Sequence, residues 1–235
     1  MPVTVVHVRD VRRATPRTRL LRLDLGESGF RFAAGQAVMA GLHGSLLRKP
    51  YSIASSPREA ERTGYIELLV QIDDSGGPDP HLELATSGTP LDLEGPFGTF
   101  TLPALGPGGR LLLVAGGTGI APLRSMLMEA LSAENPPAVR VVYSARAVDE
   151  LAYREELEGL ERGGQIGLTL TLTREEGPWP GRRGRIDRAL LATAITTKET
   201  WCLVCGPPAL VADVRSELAG LGVPDTHVGV ERYDA

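Results

Sequence analysis

Apolar and polar positions change rhythm near residue 110. Before it, short runs at residues 3–8, 20–25, 36–42, 65–72 and 90–93 alternate with period two, with Gly and Pro clusters between them. That is the pattern of half-buried strands in an antiparallel barrel or sandwich. A Pro/Gly-rich passage over residues 103–109 reads as a linker. Beyond it, apolar runs at 111–115, 139–143, 166–172 and 201–204 take turns with helical patterns at 123–131, 150–160 and 209–218. Strand–helix alternation predicts a parallel sheet with helices on both faces. The expected organisation is an antiparallel β-barrel domain over residues 1–103 and an α/β parallel-sheet domain over 110–235.

Composition narrows the function classes. With 42% hydrophobic residues in 235, the chain carries enough apolar material for two modest cores. No apolar run approaches the ~20 residues that a membrane span needs. The first residues lack the apolar stretch of a secretion signal, and Asp10 and Asp24 among the early arginines argue against a transit peptide. Two cysteines make no disulfide framework, so a reducing cytoplasm is the default. A net charge of −4 excludes a strongly basic nucleic-acid binder.

Three motifs carry candidate chemistry. In LVAGGTGIAP, residues 113–122, an apolar strand breaks into Gly116, Gly117, Thr118 and Gly119, and Pro122 falls in the first turn of a predicted helix. Free N–H groups and the positive helix end make such a turn an anion cradle. Its spacing differs from the G-x-G-x-x-G dinucleotide fingerprint, and glycine turns that bind nothing look similar. In KPYSIASSP, residues 49–57, preceded by Arg48, alternation sends Tyr51 and Ile53 to one face and Ser52 and Ala54 to the other. A flat ring, a small donor and a cation are what a flavin needs, although an ordinary strand ending at a turn has the same look. In WCLVCGPP, residues 201–208, Cys205 stands at the tip of a buried strand beside Gly206 and Pro207. Ligands gather at the carboxyl ends of such strands. Cys202 and Cys205 form C-x-x-C, but the scattered histidines supply no second ligand pair, so no metal site is expected.

In their order and separation, over nearly the whole chain, these motifs resemble the ferredoxin–NADP reductase superfamily of flavin-dependent oxidoreductases. There an R-x-Y-S segment binds flavin, a GGTGIAP loop binds the pyridine nucleotide, and a CGPP turn approaches the nicotinamide. The resemblance implies bound FAD, hydride transfer from a reduced nicotinamide, and release of electrons to a partner. It implies that Ser52 lies near the reactive flavin nitrogen and that Pro50 and Tyr51 line the isoalloxazine. Thr118 would face the nicotinamide, and Cys205 would lie close to its hydride-donating carbon. Ser52 and Cys205 are thus expected to border one cleft. The terminal VERY, residues 230–233, resembles the end of some members, making Tyr233 a candidate lid and Glu231 a polar neighbour of the site. A last strand with a frayed end is the other reading of that tail.

Two departures stand out. The arginine place of R-x-Y-S holds Lys49, so either Lys49 serves as a plain cation or a local shift brings in Arg48. In GGPDPHL, residues 76–82, Gly76 and Gly77 are expected at the flavin phosphates, but Asp79 takes a serine or threonine place. An anion about 5 Å from a phosphate charge costs about 3 kcal/mol at an effective dielectric near 20. Asp79 is therefore expected to point away and cap the short helix; otherwise flavin binding is weak.

The TRE segment, residues 173–175, resembles the family element whose arginine grips the 2′-phosphate of NADP, and this favours NADPH over NADH. Arg174 is the candidate, joined by Arg146 and by Arg182, Arg183 and Arg185. Four cysteines would be needed to hold an iron–sulfur cluster, so any such centre sits on another molecule. Seven arginines before Phe32 suggest a landing surface for an acidic ferredoxin or flavodoxin, or for an oxygenase component. A reductase of free flavin and a non-catalytic nucleotide-binding subunit are the competing readings.

Overall fold

The computed structural model describes residues 3–26, 28–72, 80–106 and 108–233. The chain divides into two compact units, Met1–Leu102 with Arg124–Glu129, and Pro103–Leu123 with Ala130–Ala235.

The first unit contains β1 (Val3–Thr15), β2 (Thr18–Asp24), β3 (Ala37–Leu42), β4 (Lys49–Ser52), the helix α1 (Pro57–Thr63), β5 (Tyr65–Gln71) and β6 (Pro90–Phe97). Its strands lie in the order β4-β3-β6-β1-β2-β5 and all pair antiparallel. A bridge between Ile53 and Leu68 joins the two ends of the sheet, so the fold is a barrel rather than a sandwich. Val6, Val8, Leu21, Leu23, Ile66, Leu68 and Leu91 fill it. Strand β1 runs beyond its apolar stretch because its arginines find carboxylates along the sheet. Arg9 pairs with Asp24 at 2.5 Å, and Arg12 with Asp10 at 3.0 Å. Helix α1 starts at a capping box in which Ser56 Oγ accepts from the Glu59 amide and Glu59 accepts from the Ser56 amide.

The second unit contains β7 (Arg110–Gly116), the two ends of α2 (Ile120–Leu131), whose middle Arg124–Glu129 counts with the first unit, β8 (Ala138–Ala145), α3 (Arg154–Arg162), β9 (Ile166–Leu172), β10 (Arg182–Arg183), α4 (Arg188–Ala194), β11 (Trp201–Gly206), α5 (Pro208–Gly220) and β12 (Val228–Arg232). Its sheet runs β10-β9-β8-β7-β11-β12 and is parallel throughout. β7 is buried from Leu111 to its end and β11 from Cys202 onward, as expected for parallel strands covered on both faces. Apolar side chains of α4 and α5 (Leu190, Leu191, Val211, Val214 and Leu218) pack against Leu112, Val114, Cys202 and Val204. Among the described residues no helix is long and apolar enough to cross a membrane.

Candidate functional site

β7 ends at Gly116, and one tight turn, Gly117–Gly119, runs straight into α2. The glycines are there for contact distance as much as for flexibility. A Cβ on Gly119 would sit 2.3 Å from the Cys205 carbonyl oxygen, so loop and β11 meet backbone to backbone. Gly117 has φ +54°, which disfavours a side chain. Pro122 is buried in the first turn of α2, where its missing donor leaves nothing unpaired.

β12 lies parallel to β11 with Glu231 opposite Cys205 and brings the tail to this loop. The Tyr233 hydroxyl donates to the Gly116 carbonyl. The same phenol oxygen lies over the turn, where a Cβ on Gly117 would meet it at 2.8 Å. Burial pushes the Tyr233 phenol above its ordinary value against the opposing pull of the Thr118 and Gly119 groups, so the hydroxyl keeps its proton. An oxygen therefore already rests against the glycine turn. This is the geometry that a phosphate or carboxamide oxygen of a pyridine nucleotide requires, and the loop fits that group. The tail is both a final strand and a cover over the glycine loop.

Cys205 Sγ donates to Glu231 Oε2 at 3.8 Å. Burial first, and then the Glu231 carboxylate, push the Cys205 thiol far above its ordinary value. Burial alone pushes Cys202 up to about 12. A buried neutral thiol is a poor nucleophile and redox partner; Cys205 is suited instead to packing beneath a flat ring. Gly206 is buried beside Gly116, and Pro207 caps α5.

Two strands along the sheet, the Arg174 amide donates to the Arg146 carbonyl at 2.8 Å. Both side chains are exposed, and neither has a partner among the described residues. Two other arginines of this region are committed. Arg182 pairs with Asp187, and Arg183 donates to the Glu175 and Gly177 carbonyls. Arg185 lies 3.9 Å from Asp213 with its side chain 83% exposed. Of the expected cluster of five, Arg146, Arg174 and Arg185 keep solvent-facing side chains.

In the first unit, Tyr51 and Ser52 lie half-buried on β4, and the Tyr51 ring also leans on the barrel core. Pro50 is exposed opposite Met39, and Lys49 lies opposite Ala40. Arg48 is held away from its motif. Its guanidinium meets Asp92 at 3.1 Å and Glu94 at 3.7 Å on β6. A ring, a hydroxyl and a cation on one short strand suit a flavin, with lysine as that cation. Gly76, Gly77 and Asp79 lie outside the described residues.

Two features escaped the motifs. Tyr143 reads as a core residue in an apolar run, yet its hydroxyl donates to the Gly117 carbonyl at 3.1 Å. Arg124 and Ser125 interrupt an apolar helix and turn out to be buried. Arg124 donates to the Ala54 carbonyl at 2.8 Å and to both Glu59 oxygens at 3.1 Å, and Ser125 Oγ donates to the Ser55 carbonyl at 2.7 Å. A charged residue amid apolar helix positions was the only sequence signal.

Residues 5–102 match the oxidoreductase FAD-binding domain family, and residues 113–216 the oxidoreductase NAD-binding domain family. Ferredoxin–NADP reductase B of Sorangium cellulosum is 36% identical over 235 residues, covering 95% of each chain. The electron transfer component of a 2-halobenzoate 1,2-dioxygenase from Burkholderia cepacia is 30% identical over 80% of this chain and 55% of its own. A cytochrome P450 reductase from Amycolatopsis superposes with a TM-score of 0.85 at 25% identity, covering 100% of this chain and 71% of that one. A ferredoxin NADP+ reductase from Neisseria gonorrhoeae with bound FAD and NADP gives a TM-score of 0.81 at 22% identity over 99% of both chains, a likeness of fold.

Proposed function

Because this chain belongs to the ferredoxin–NADP reductase family and is an FAD-dependent NAD(P)H oxidoreductase, we propose that it takes hydride from NADPH and feeds a small carrier protein. That carrier is a ferredoxin, a flavodoxin or an oxygenase component. Bound FAD supplies acceptance of the hydride and release of its electrons one at a time. The chain's own residues supply position, charge and exclusion of water.

In this reading, residues 1–103 hold FAD and residues 110–235 hold the nucleotide. Ser52 offers its hydroxyl to the flavin ring and Tyr51 its aromatic face. Lys49 is the phosphate cation because it holds the arginine place of the motif, and Arg48 is engaged by Asp92 and Glu94. The Thr118 and Gly119 amides receive the nucleotide once Tyr233 moves aside. Cys205, protonated by virtue of its burial, gives the nicotinamide a neutral floor, and Glu231 fixes the thiol's direction. Arg146 and Arg174 read the 2′-phosphate. The observation that carries the proposal is the Tyr233 oxygen seated on the glycine turn beside the Cys205–Glu231 pair.

The early arginines favour a modest electrostatic contribution to docking. Arg9, Arg12 and Arg22 are each within 3.0 Å of a carboxylate oxygen, so much of that surface is already neutralised.

The visible spectrum of the purified protein tests the proposal. Flavin bands that bleach on anaerobic NADPH are the expected result. A colourless protein that neither takes up FAD nor reduces dyes overturns it. Reduction only of added, freely exchanging flavin would instead make the chain a free-flavin reductase.

A further inference from the structure

The glycine loop is held by two phenols, and they differ in kind. Tyr233 follows the last strand, and its oxygen rests on the turn that a nucleotide would need. Tyr143 belongs to β8, beside β7, and is 0% exposed. Its hydroxyl donates to the Gly117 carbonyl at 3.1 Å. Burial pushes its phenol far above the ordinary value, so it is a proton donor throughout the physiological range. Successive carbonyls, Gly116 and Gly117, are thus taken by successive phenols.

In a trans peptide the carbonyl and the following N–H point opposite ways, so holding the Gly117 carbonyl sets the direction of the Thr118 amide. Gly117 at φ +54° is the pivot, and glycine has little intrinsic preference for that conformation over its alternatives. When Tyr233 leaves, the Gly116 bond goes with it. The Tyr143 bond stays, because its ring is fixed in the core, and the Ile120 amide donates to the same Gly117 carbonyl from within the turn.

We propose that Tyr143 is a positioning residue for the pyridine nucleotide: its buried hydroxyl, from outside the turn, adds to the Ile120 amide in pinning the Gly117 carbonyl, so that the Thr118 amide remains aimed at the ligand after Tyr233 has withdrawn. The proposal rests on the reading that the nucleotide binds at this loop. The hydroxyl touches no reacting atom. It removes in advance an ordering cost that binding would otherwise carry.

The test compares wild type with Tyr143→Phe in the flavin-loaded protein, with NADP+ binding followed by calorimetry and turnover followed with NADPH. Loss of one neutral hydrogen bond corresponds to about a five- to tenfold change in an equilibrium constant. The expected result is weakening of NADP+ by that factor, a matching rise in KM and a kcat unchanged within twofold. Affinity for 2′-AMP, which lacks the pyrophosphate and nicotinamide, should not change. A tyrosine that merely fills the core would lower the melting temperature and leave NADP+ affinity and KM where they were; that outcome overturns the proposal. Wild type that binds neither NADP+ nor NAD+ would instead defeat the functional reading itself.

A second variant does not depend on Tyr143→Phe folding. In Tyr233→Ala, NADP+ affinity should be kept or rise, because the competing phenol is gone while Tyr143 still holds the Gly117 carbonyl. Weaker NADP+ binding in that variant would show that the tail alone ordered the loop and would also overturn the proposal.

Discussion

Arg174 and Arg146 show how one side chain's role depends on what its neighbours have already claimed. Five arginines near the ends of β8 and β9 look equivalent in the sequence. Carboxylates and carbonyls engage Arg182 and Arg183, and Arg146, Arg174 and Arg185 are left facing solvent. A charge-assisted hydrogen bond contributes about 1.5–3 kcal/mol, or roughly ten- to a hundredfold in preference. Arg174→Ala should therefore lower kcat/KM for NADPH at least about tenfold and leave that for NADH within about twofold. Parallel steady-state measurements with the two nucleotides check this, and an equal loss with both would remove Arg174 from the 2′-phosphate. The same dependence on neighbours explains Arg48. Its nearness to the flavin motif was legible, but its capture by Asp92 and Glu94 required β6 to be brought alongside β3.

At the scale of elements, the strand–loop–helix from β7 to α2 was readable because its determinants are local. An apolar run, glycines where the backbone must bend sharply, and proline in a first helical turn all lie within ten residues of chain. What makes Gly119 indispensable is not local. Its Cα faces the Cys205 carbonyl, on a strand more than eighty residues later, and backbone has no rotamer by which to yield. Gly119→Ala should cost about 1–3 kcal/mol by overpacking, or about 2–4 °C of melting temperature per kcal/mol for a chain of this size. The stabilisation that NADP+ gives wild type should also disappear, as thermal melts with and without nucleotide will show. Helix α1 left a readable capping box in Ser56 and Glu59. The role of Glu59 as a partner of Arg124 could not be read, because sixty-five residues separate them.

At the scale of the whole molecule, resistance to acid has an identifiable contributor. Hydrogen bonds from His43 first, with the Gly44 amide and Arg48, hold the Asp92 carboxyl below its ordinary value despite burial. A carboxylate depressed in the folded state stabilises above its unfolded pKa and loses that contribution as pH falls through the folded value. Stability should thus decline as pH drops below about 4. Asp92→Asn should be less stable at pH 7 by about 1–3 kcal/mol and flatter across that acid range. Denaturant melts from pH 7 to pH 2.5 check both, and parallel curves for the two proteins would clear Asp92 of the effect. By itself, the sequence determined the two architectures, their order and the three motifs, since periodicity and turn chemistry act over a few neighbouring residues. Only the tertiary structure decided which cations stay available, that Tyr233 comes to rest on the glycine turn, and that a core tyrosine bonds its Gly117 carbonyl. Those outcomes depend on groups distant in sequence competing for the same hydrogen-bonding atoms, and the contest has no winner until the chain has folded.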